Sequence, residues 1–416
     1  MPASDAGGGP LFEGQAGHAC RLSVLHSRPP AGGLDRSGIM TWRQLFLSLV
    51  LCTLACAGYA QDASRAELAV MRSLHPVAGN FVIRDFTFST GEHLPELRLH
   101  YRTLGSPRTG PDGKVTNAVL ILHGTGGSGA QFLVPRYAGE LFGPGQPLDA
   151  SKYFIILPDD IGHGDSSKPS DGLRMRFPHY GYTDMVKAEH ALVVDGLKIN
   201  HLRLVTGTSM GCMHSFMWGE NYPDFVDALM PLACLPIEIG GRNRMWRQML
   251  MDAIRQDPQW DNGSYATQPQ AGLRTAVDML LIAGSAPIAL QDEFPSGPSM
   301  QDYLRVQTPK IVAHLDADDL LYQVASSRDY DPSARLSGIR AAVMWVNSQD
   351  DFINPPYLGV AEREVRKMPQ ARYVLIPASR ATHGHGTHTW AAVWKSYLVE
   401  LLAESRPAGH EATGHR

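Results

Sequence analysis

Ser209, Asp350 or Asp351, and the histidines His383, His385 and His388 are the side chains whose types and chain order could carry out nucleophilic chemistry. A serine hydroxyl is a weak nucleophile at neutral pH and needs a base to take its proton. The base in turn needs a carboxylate to orient its ring and stabilise its cationic form. Ser209 lies in Gly207-Thr208-Ser209-Met210-Gly211, after the apolar run Leu202-Arg203-Leu204-Val205-Thr206 and before a helix-forming run. Strand, sharp turn and helix are the context in which the serine of Gly-x-Ser-x-Gly is held clear of a sheet. A Cβ at Gly207 or Gly211 would collide with a neighbouring strand or helix in so tight a turn. The helix that begins near Met210 points free N–H groups at the same spot, where negative charge can be stabilised. The pattern is short, and a plain strand–turn–helix with small residues can also produce it.

The rest of the chain supplies partners in a usable order. The apolar run Ala341 to Val346 leads into Asn347-Ser348-Gln349-Asp350-Asp351-Phe352-Ile353-Asn354-Pro355. The run Arg372 to Ile376 leads towards Thr382-His383-Gly384-His385-Gly386. Residue types alone leave Asp350 and Asp351 both open as the acid, and a solvated turn would also explain an Asp just before Asn-Pro. Three histidines compete for the base. His383-x-His385-x-x-His388 has the spacing of a metallo-hydrolase motif, but Thr387 stands where that motif carries Asp, so neither a metal nor another cofactor is expected. An oxyanion could be held by the backbone N–H of Met210 and by that of Thr125, in the loop His123-Gly124-Thr125-Gly126-Gly127. The glycines of that loop let its backbone approach a substrate closely.

The elements that must position these groups read as alternating strands and helices. Phe81 to Tyr101 looks like an antiparallel pair with a turn at Thr90-Gly91-Glu92. Val115 to Leu122, Tyr153 to Leu157, the run before Ser209, Val226 to Cys234, Ala341 to Val346 and Arg372 to Ile376 are apolar throughout, which predicts a mostly parallel sheet covered by helices on both faces. Thr183 can cap a helix that stops near Gly196. The final helix shows a stripe at Trp390, Val393, Trp394, Tyr397, Leu398, Leu401 and Leu402. Between these strands, residues 240–338 carry only helical spacing: Met245 to Gln256, Gly272 to Ala283, Met300 to His314 and Leu320 to Ser326. This segment reads as a helical cap inserted into a core formed by residues 61–239 and 339–405, with a loose polar tail at 406–416.

Composition excludes some functions and the front end suggests a destination. With 44% hydrophobic and 19% charged residues and a formal net charge of −4, the chain offers no basic surface for nucleic acid. Residues 1–39 read as a disordered, over-extended start, and Met40 as the initiator of a signal peptide over residues 40–60. Met40-Thr41-Trp42-Arg43-Gln44 is its positive end, Leu45 to Ala57 its apolar stretch, and Gly58-Tyr59-Ala60 its small-x-small cleavage site. A periplasmic or secreted protein, with no membrane contact after cleavage, is the expectation. Of the five cysteines only Cys212 and Cys234 would remain. They read as small core residues, although their places leave a bridge open.

Taken jointly, several segments resemble the homoserine O-acetyltransferase family of α/β-hydrolase enzymes over most of residues 80–402. They are Leu99-His100-Tyr101-Arg102-Thr103-Leu104-Gly105, Asn117-Ala118-Val119-Leu120, Tyr182-Thr183-Asp184-Met185-Val186, Gly207-Thr208-Ser209-Met210-Gly211-Cys212-Met213, Trp218 with Tyr222-Pro223-Asp224, Ala253-Ile254 with Asp257-Pro258, and Gly384-His385. The resemblance implies an α/β-hydrolase fold and favours Asp351 as acid and His385 as base. It also implies a homodimer formed through the cap.

The chain departs from the family at the elbow, where Thr208 and Cys212 replace glycines. It departs again where the family carries an arginine understood to hold a substrate carboxylate; Met251 stands there. A thioether cannot replace a guanidinium. Arg244, Arg247 and Arg255 lie near and could compensate, but each reads as a surface residue of the cap. The first expectation is therefore an exported serine hydrolase acting on an ester-type bond of a small acyl substrate. An O-acyltransferase with the same acyl-serine step is the second, and a non-catalytic binding protein on this fold the third.

Overall fold

A computed structural model of the protein describes residues 63–405. The signal-peptide and tail readings fall outside those residues. Eight strands form one sheet: β1 (Val77–Thr87), β2 (His93–Leu104), β3 (Ala118–Leu122), β4 (Phe154–Pro158), β5 (Leu204–Thr208), β6 (Ala228–Leu232), β7 (Ala342–Ser348) and β8 (Ala371–Ile376). Their order across the sheet is β1-β2-β4-β3-β5-β6-β7-β8. β1 and β2 are an antiparallel hairpin, with Ile83 opposite Leu97, and β2 runs antiparallel to β4. Every pairing from β4 to β8 is parallel.

The apolar runs are continuous because both faces of the sheet are covered. Leu120 and Leu122 of β3 pack into the core with Phe216, Trp218 and Trp345 on one face. Val119 and Ile121, one residue out of phase, pack on the other face with Met230, Leu398 and Trp394 of the final helix Ala391–Glu404. The strands are shorter at their leading ends than their apolar runs. Val115 forms an isolated bridge with Thr109 before β3 begins, and Val226 pairs singly with Leu202 before β6.

One helix start differs from its reading. The helix Tyr182–Ala191 begins after Gly181 and passes into a π-turn over Leu192–Gly196. Thr183 does not cap it. The Asp329 carboxylate instead accepts the amides of Tyr182 at 2.9 Å and Thr183 at 3.0 Å.

Between β6 and β7 the chain is helical: Gly241–Arg255, Gln270–Gly284, Pro287–Glu293, Gly297–Val312 and Ala317–Ala325. The short helix Pro287–Glu293 has no counterpart in the sequence reading, being too brief to show a period. These helices bury their own core, in which Leu250, Ile254, Leu273, Val277, Ile311 and Leu320 meet. The last of them is tied to the loop after β4, where Ser170 Oγ donates to Asp319 at 2.6 Å and Gln323 Nε2 to the Gly162 carbonyl at 2.7 Å. Among the described residues no single helix is long and apolar enough to cross a membrane.

Candidate active site

The site forms where β5 turns into the helix Met210–Asn221. Ser209 occupies φ 55°, ψ −108°, a region in which a non-glycine residue is strained. The surroundings leave no alternative. A Cβ on Gly207 would lie 2.2 Å from the Gly211 carbonyl oxygen, and one on Gly211 would lie 2.1 Å from that of Leu122. Backbone bonds fix the turn from both sides. The Ser209 amide donates to the Leu232 carbonyl at 2.9 Å, and the Gly211 amide to the His123 carbonyl at 2.9 Å. The second bond holds the His123–Thr125 loop against the elbow, and Thr125 borders the same cavity as Ser209.

Ser209, His385 and Asp351 are brought together although 176 residues separate the first two. The Ser209 hydroxyl lies 2.9 Å from His385 Nε2, and His385 Nδ1 lies 2.9 Å from Asp351 Oδ2. The acid must accept, so Nδ1 carries the ring proton and Nε2 is left to receive that of the serine. Asp351 is no solvated turn residue: it is 2% exposed. Its Oδ1 accepts the amides of Ile353 and Asn354, and its Oδ2 accepts Asn354 Nδ2 at 3.0 Å. Burial raises its proton affinity, but the His385 charge and these hydrogen bonds outweigh burial, and the carboxyl titrates below its ordinary value. Such an arrangement can hold an imidazolium without itself becoming protonated.

Asp350 faces elsewhere, accepting Thr382 Oγ1 at 2.8 Å and the Gly384 amide at 3.1 Å. Gly384, at φ 56°, is packed so closely that a Cβ would sit 2.3 Å from the Ser285 carbonyl. The other two histidines of this loop take separate places. His383 stacks on Trp390 at 3.8 Å, and burial followed by Arg136 draws its titration down to about 4. His388 meets the His385 ring edge-on at 5.1 Å.

Among the described residues, two side-chain groups have a spacing that could hold a cation: His100 with Asp159 and Asp165, and Asp160 with Glu189 and His214. In the first, Arg102 Nη1 already lies 3.0 Å from Asp159 Oδ1. In the second, all three side chains are buried, and protons relieve the charge. Burial and then the Glu189 carboxylate push Asp160 up to about 8, and burial pushes Glu189 to about 7.

One question the sequence leaves open is answered here, and one expectation is corrected. Cys212 and Cys234 are bonded to each other, tying the first turn of the elbow helix to the chain just beyond β6. Their positions at the ends of paired, neighbouring elements bring the Cα atoms within 5.8 Å, inside disulfide range. Arg247 is not a surface residue: it is 2% exposed and borders the cavity above Ser209. Arg255 is exposed and Arg244 half-buried. Helical spacing could have placed Arg247 inside, since it precedes the buried Met251 by four residues and Ile254 by seven on the helix Gly241–Arg255.

The chain matches the α/β-hydrolase fold family over residues 117–382. It is 28% identical over 307 residues to a probable acyltransferase of Methanothermobacter thermautotrophicus, covering 72% of this chain and 90% of that protein. It is 30% identical over 285 residues to a homoserine O-acetyltransferase of Nitrobacter hamburgensis, covering 61% and 69% of the two chains. In three dimensions it superposes on the acetyl esterase MekB with a TM-score of 0.67 at 24% identity, covering 79% and 97%. The protein belongs to the α/β-hydrolase fold family, as an enzyme similar to the homoserine O-acetyltransferases.

Proposed function

We propose that the protein is an exported serine hydrolase that cleaves an ester-type acyl bond through an acyl-serine intermediate. The observation that carries this reading is the continuous hydrogen-bonded chain from the Ser209 hydroxyl through His385 to Asp351. His385 takes the serine proton as Oγ attacks the acyl carbon, and returns it to the leaving alcohol. The developing oxyanion is met by the amides of Met210 and Thr125. Water, activated by the same imidazole, then releases the acid. Asp351 keeps the ring in its working tautomer throughout.

Hydrolysis is ranked above transfer for two reasons. The apolar segment at residues 40–60 reads as an export signal, and the Cys212–Cys234 bond suits an oxidising compartment. Outside the cytosol acetyl-CoA is not at hand and water is the abundant acceptor. The second reading, an O-acyltransferase, rests on the names of the similar acyltransferases and uses the same first half-reaction. Met245 and Met249, exposed one turn apart on the first cap helix, support pairing of two copies through the cap, which light scattering would read.

Parallel assays separate the readings. Hydrolysis of p-nitrophenyl acetate without CoA, lost in Ser209→Ala, is expected. Acetyl-CoA-dependent formation of O-acetylhomoserine as the dominant product would reverse the ranking.

A further inference from the structure

The cavity over Ser209 is small, at about 80 Å³, and Ile353 forms part of its wall. Ile353 also borders a second cavity, of about 470 Å³. This larger space lies where the loop beyond β6, the start of the helix Gly241–Arg255 and the loop after β7 meet, and Met213 of the elbow helix borders it too. A second contact joins the two linings. Asn243 borders the larger cavity and accepts Arg247 Nε at 3.0 Å, and Arg247 borders the smaller one. The Ile353 amide donates to Asp351 Oδ1 at 2.7 Å, so the dividing side chain is anchored at the triad itself. That side chain is β-branched and stiff, which makes it a fixed post beside which a chain would pass.

The larger cavity is lined mainly by apolar side chains, among them Leu235, Ile237, Ile239, Leu358 and Val360. Its one guanidinium is committed: that of Arg242 lies 3.9 Å from the Phe352 ring centre and donates to the Phe352 carbonyl. Its one carboxylate, Glu238, belongs to an exposed residue. A charged group entering would give up its water for little in return. An apolar chain would lose nothing and would cover apolar surface. At one end of the cavity that surface lies open, with Tyr357 77% and Leu358 54% exposed. The volume is that of a small-molecule site.

We propose that the larger cavity is a chain-binding subsite of this active site, and that the preferred substrate is an ester whose neutral, apolar chain of medium length runs from Ser209 past Ile353 into it. This rests on the ester-hydrolase reading. Each methylene taken out of water is worth about fourfold in affinity. Several of them in the larger cavity outweigh what a two-carbon group gains in the smaller one. The chain belongs to the acyl or to the alcohol half of the ester, and the test separates the two.

The test uses two series of esters. p-Nitrophenyl acetate, butanoate and octanoate lengthen the acyl half; ethyl, butyl and octyl acetate lengthen the alcohol half. The processed protein is expected to raise kcat/KM by ~100-fold from the shortest to the longest member of one series, the worth of three to four buried methylenes. The series that shows the rise identifies the half. Ile237→Glu puts a carboxylate into the lining at a half-buried loop position, and should cut the ratio of longest to shortest by ~10-fold. Leu358→Glu, at the exposed end, needs no rearrangement of the core and should cut the same ratio by about threefold. Thermal melting shows that each variant is folded. A flat or falling profile in both series overturns the proposal. A rise that both variants leave intact does so too, since the preference would then lie in the apolarity of the esters and not in this cavity. If instead no ester of either series is turned over and Ser209 takes no fluorophosphonate label, the hydrolase reading beneath the proposal fails.

Discussion

Asp350 and Asp351 are adjacent in the chain and serve the same histidine from two directions. Asp351 turns inward and lies 2.9 Å from His385 Nδ1, while Asp350 accepts the Gly384 amide at 3.1 Å and the Thr382 hydroxyl at 2.8 Å. One carboxylate orients the ring, and the other braces the loop that carries it.

This division makes the two aspartates distinguishable by substitution. Asp351→Asn should keep the fold and lower kcat by about 10⁴, since an amide can favour the wrong ring tautomer. Asp350→Asn should cost much less, about tenfold, through a looser loop. Equal losses measured by steady-state kinetics would contradict the assignment.

The elbow glycines should tolerate nothing larger. Gly211→Ala would drive a Cβ to 2.1 Å from the Leu122 carbonyl, a contact that backbone must move to relieve. Calorimetry should show a clear fall in Tm with loss of activity. An unchanged Tm would mean that the turn is looser than described.

The disulfide spans a sequence separation of 22 residues, and closing a loop of that size stabilises a chain by about 3 kcal/mol in the loop-entropy account. Cys234→Ala should lower unfolding stability by about that amount. Because Cys212 lies three residues after Ser209, activity should fall as well. Denaturant midpoints that coincide with the wild type would show the bond to be idle.

The buried pair Asp160 and Glu189 predicts a pH dependence. Both titrate above their ordinary values of 3.8 and 4.5, at about 8 and about 7. The native state therefore holds protons that the unfolded chain has released. Their contribution to stability is whole below about pH 4 and is lost as pH rises through 7 and 8. Between pH 5 and 8 urea midpoints should fall, and Asp160→Asn, which mimics the protonated acid, should remove most of that fall. Parallel curves for the two proteins would contradict the assignment.

Much of the fold was legible because strands buried on both faces are apolar throughout, as β3 and β4 are. Ser209 and the two loops that carry the acid and the base were legible because each follows a strand, whereas the choice of Asp351 over Asp350 and of His385 among three histidines came from the family resemblance. What was hidden depends on partners distant in sequence. The start of Tyr182–Ala191 is set by Asp329, which no local capping rule can see. Cys212 and Cys234 meet only once β5 and β6 pair. Arg247 lies on the inner side of its helix, and a cationic residue there was read by its charge rather than by its spacing to Met251 and Ile254.

The central claim is that Ser209 is the group that becomes acylated. Treating the folded protein with a fluorophosphonate and sequencing the labelled peptide by mass spectrometry tests it directly. The account predicts a single adduct on Ser209, absent in Ser209→Ala and strongly slowed in His385→Ala. Labelling at another residue, or ester turnover that persists in Ser209→Ala, would contradict it.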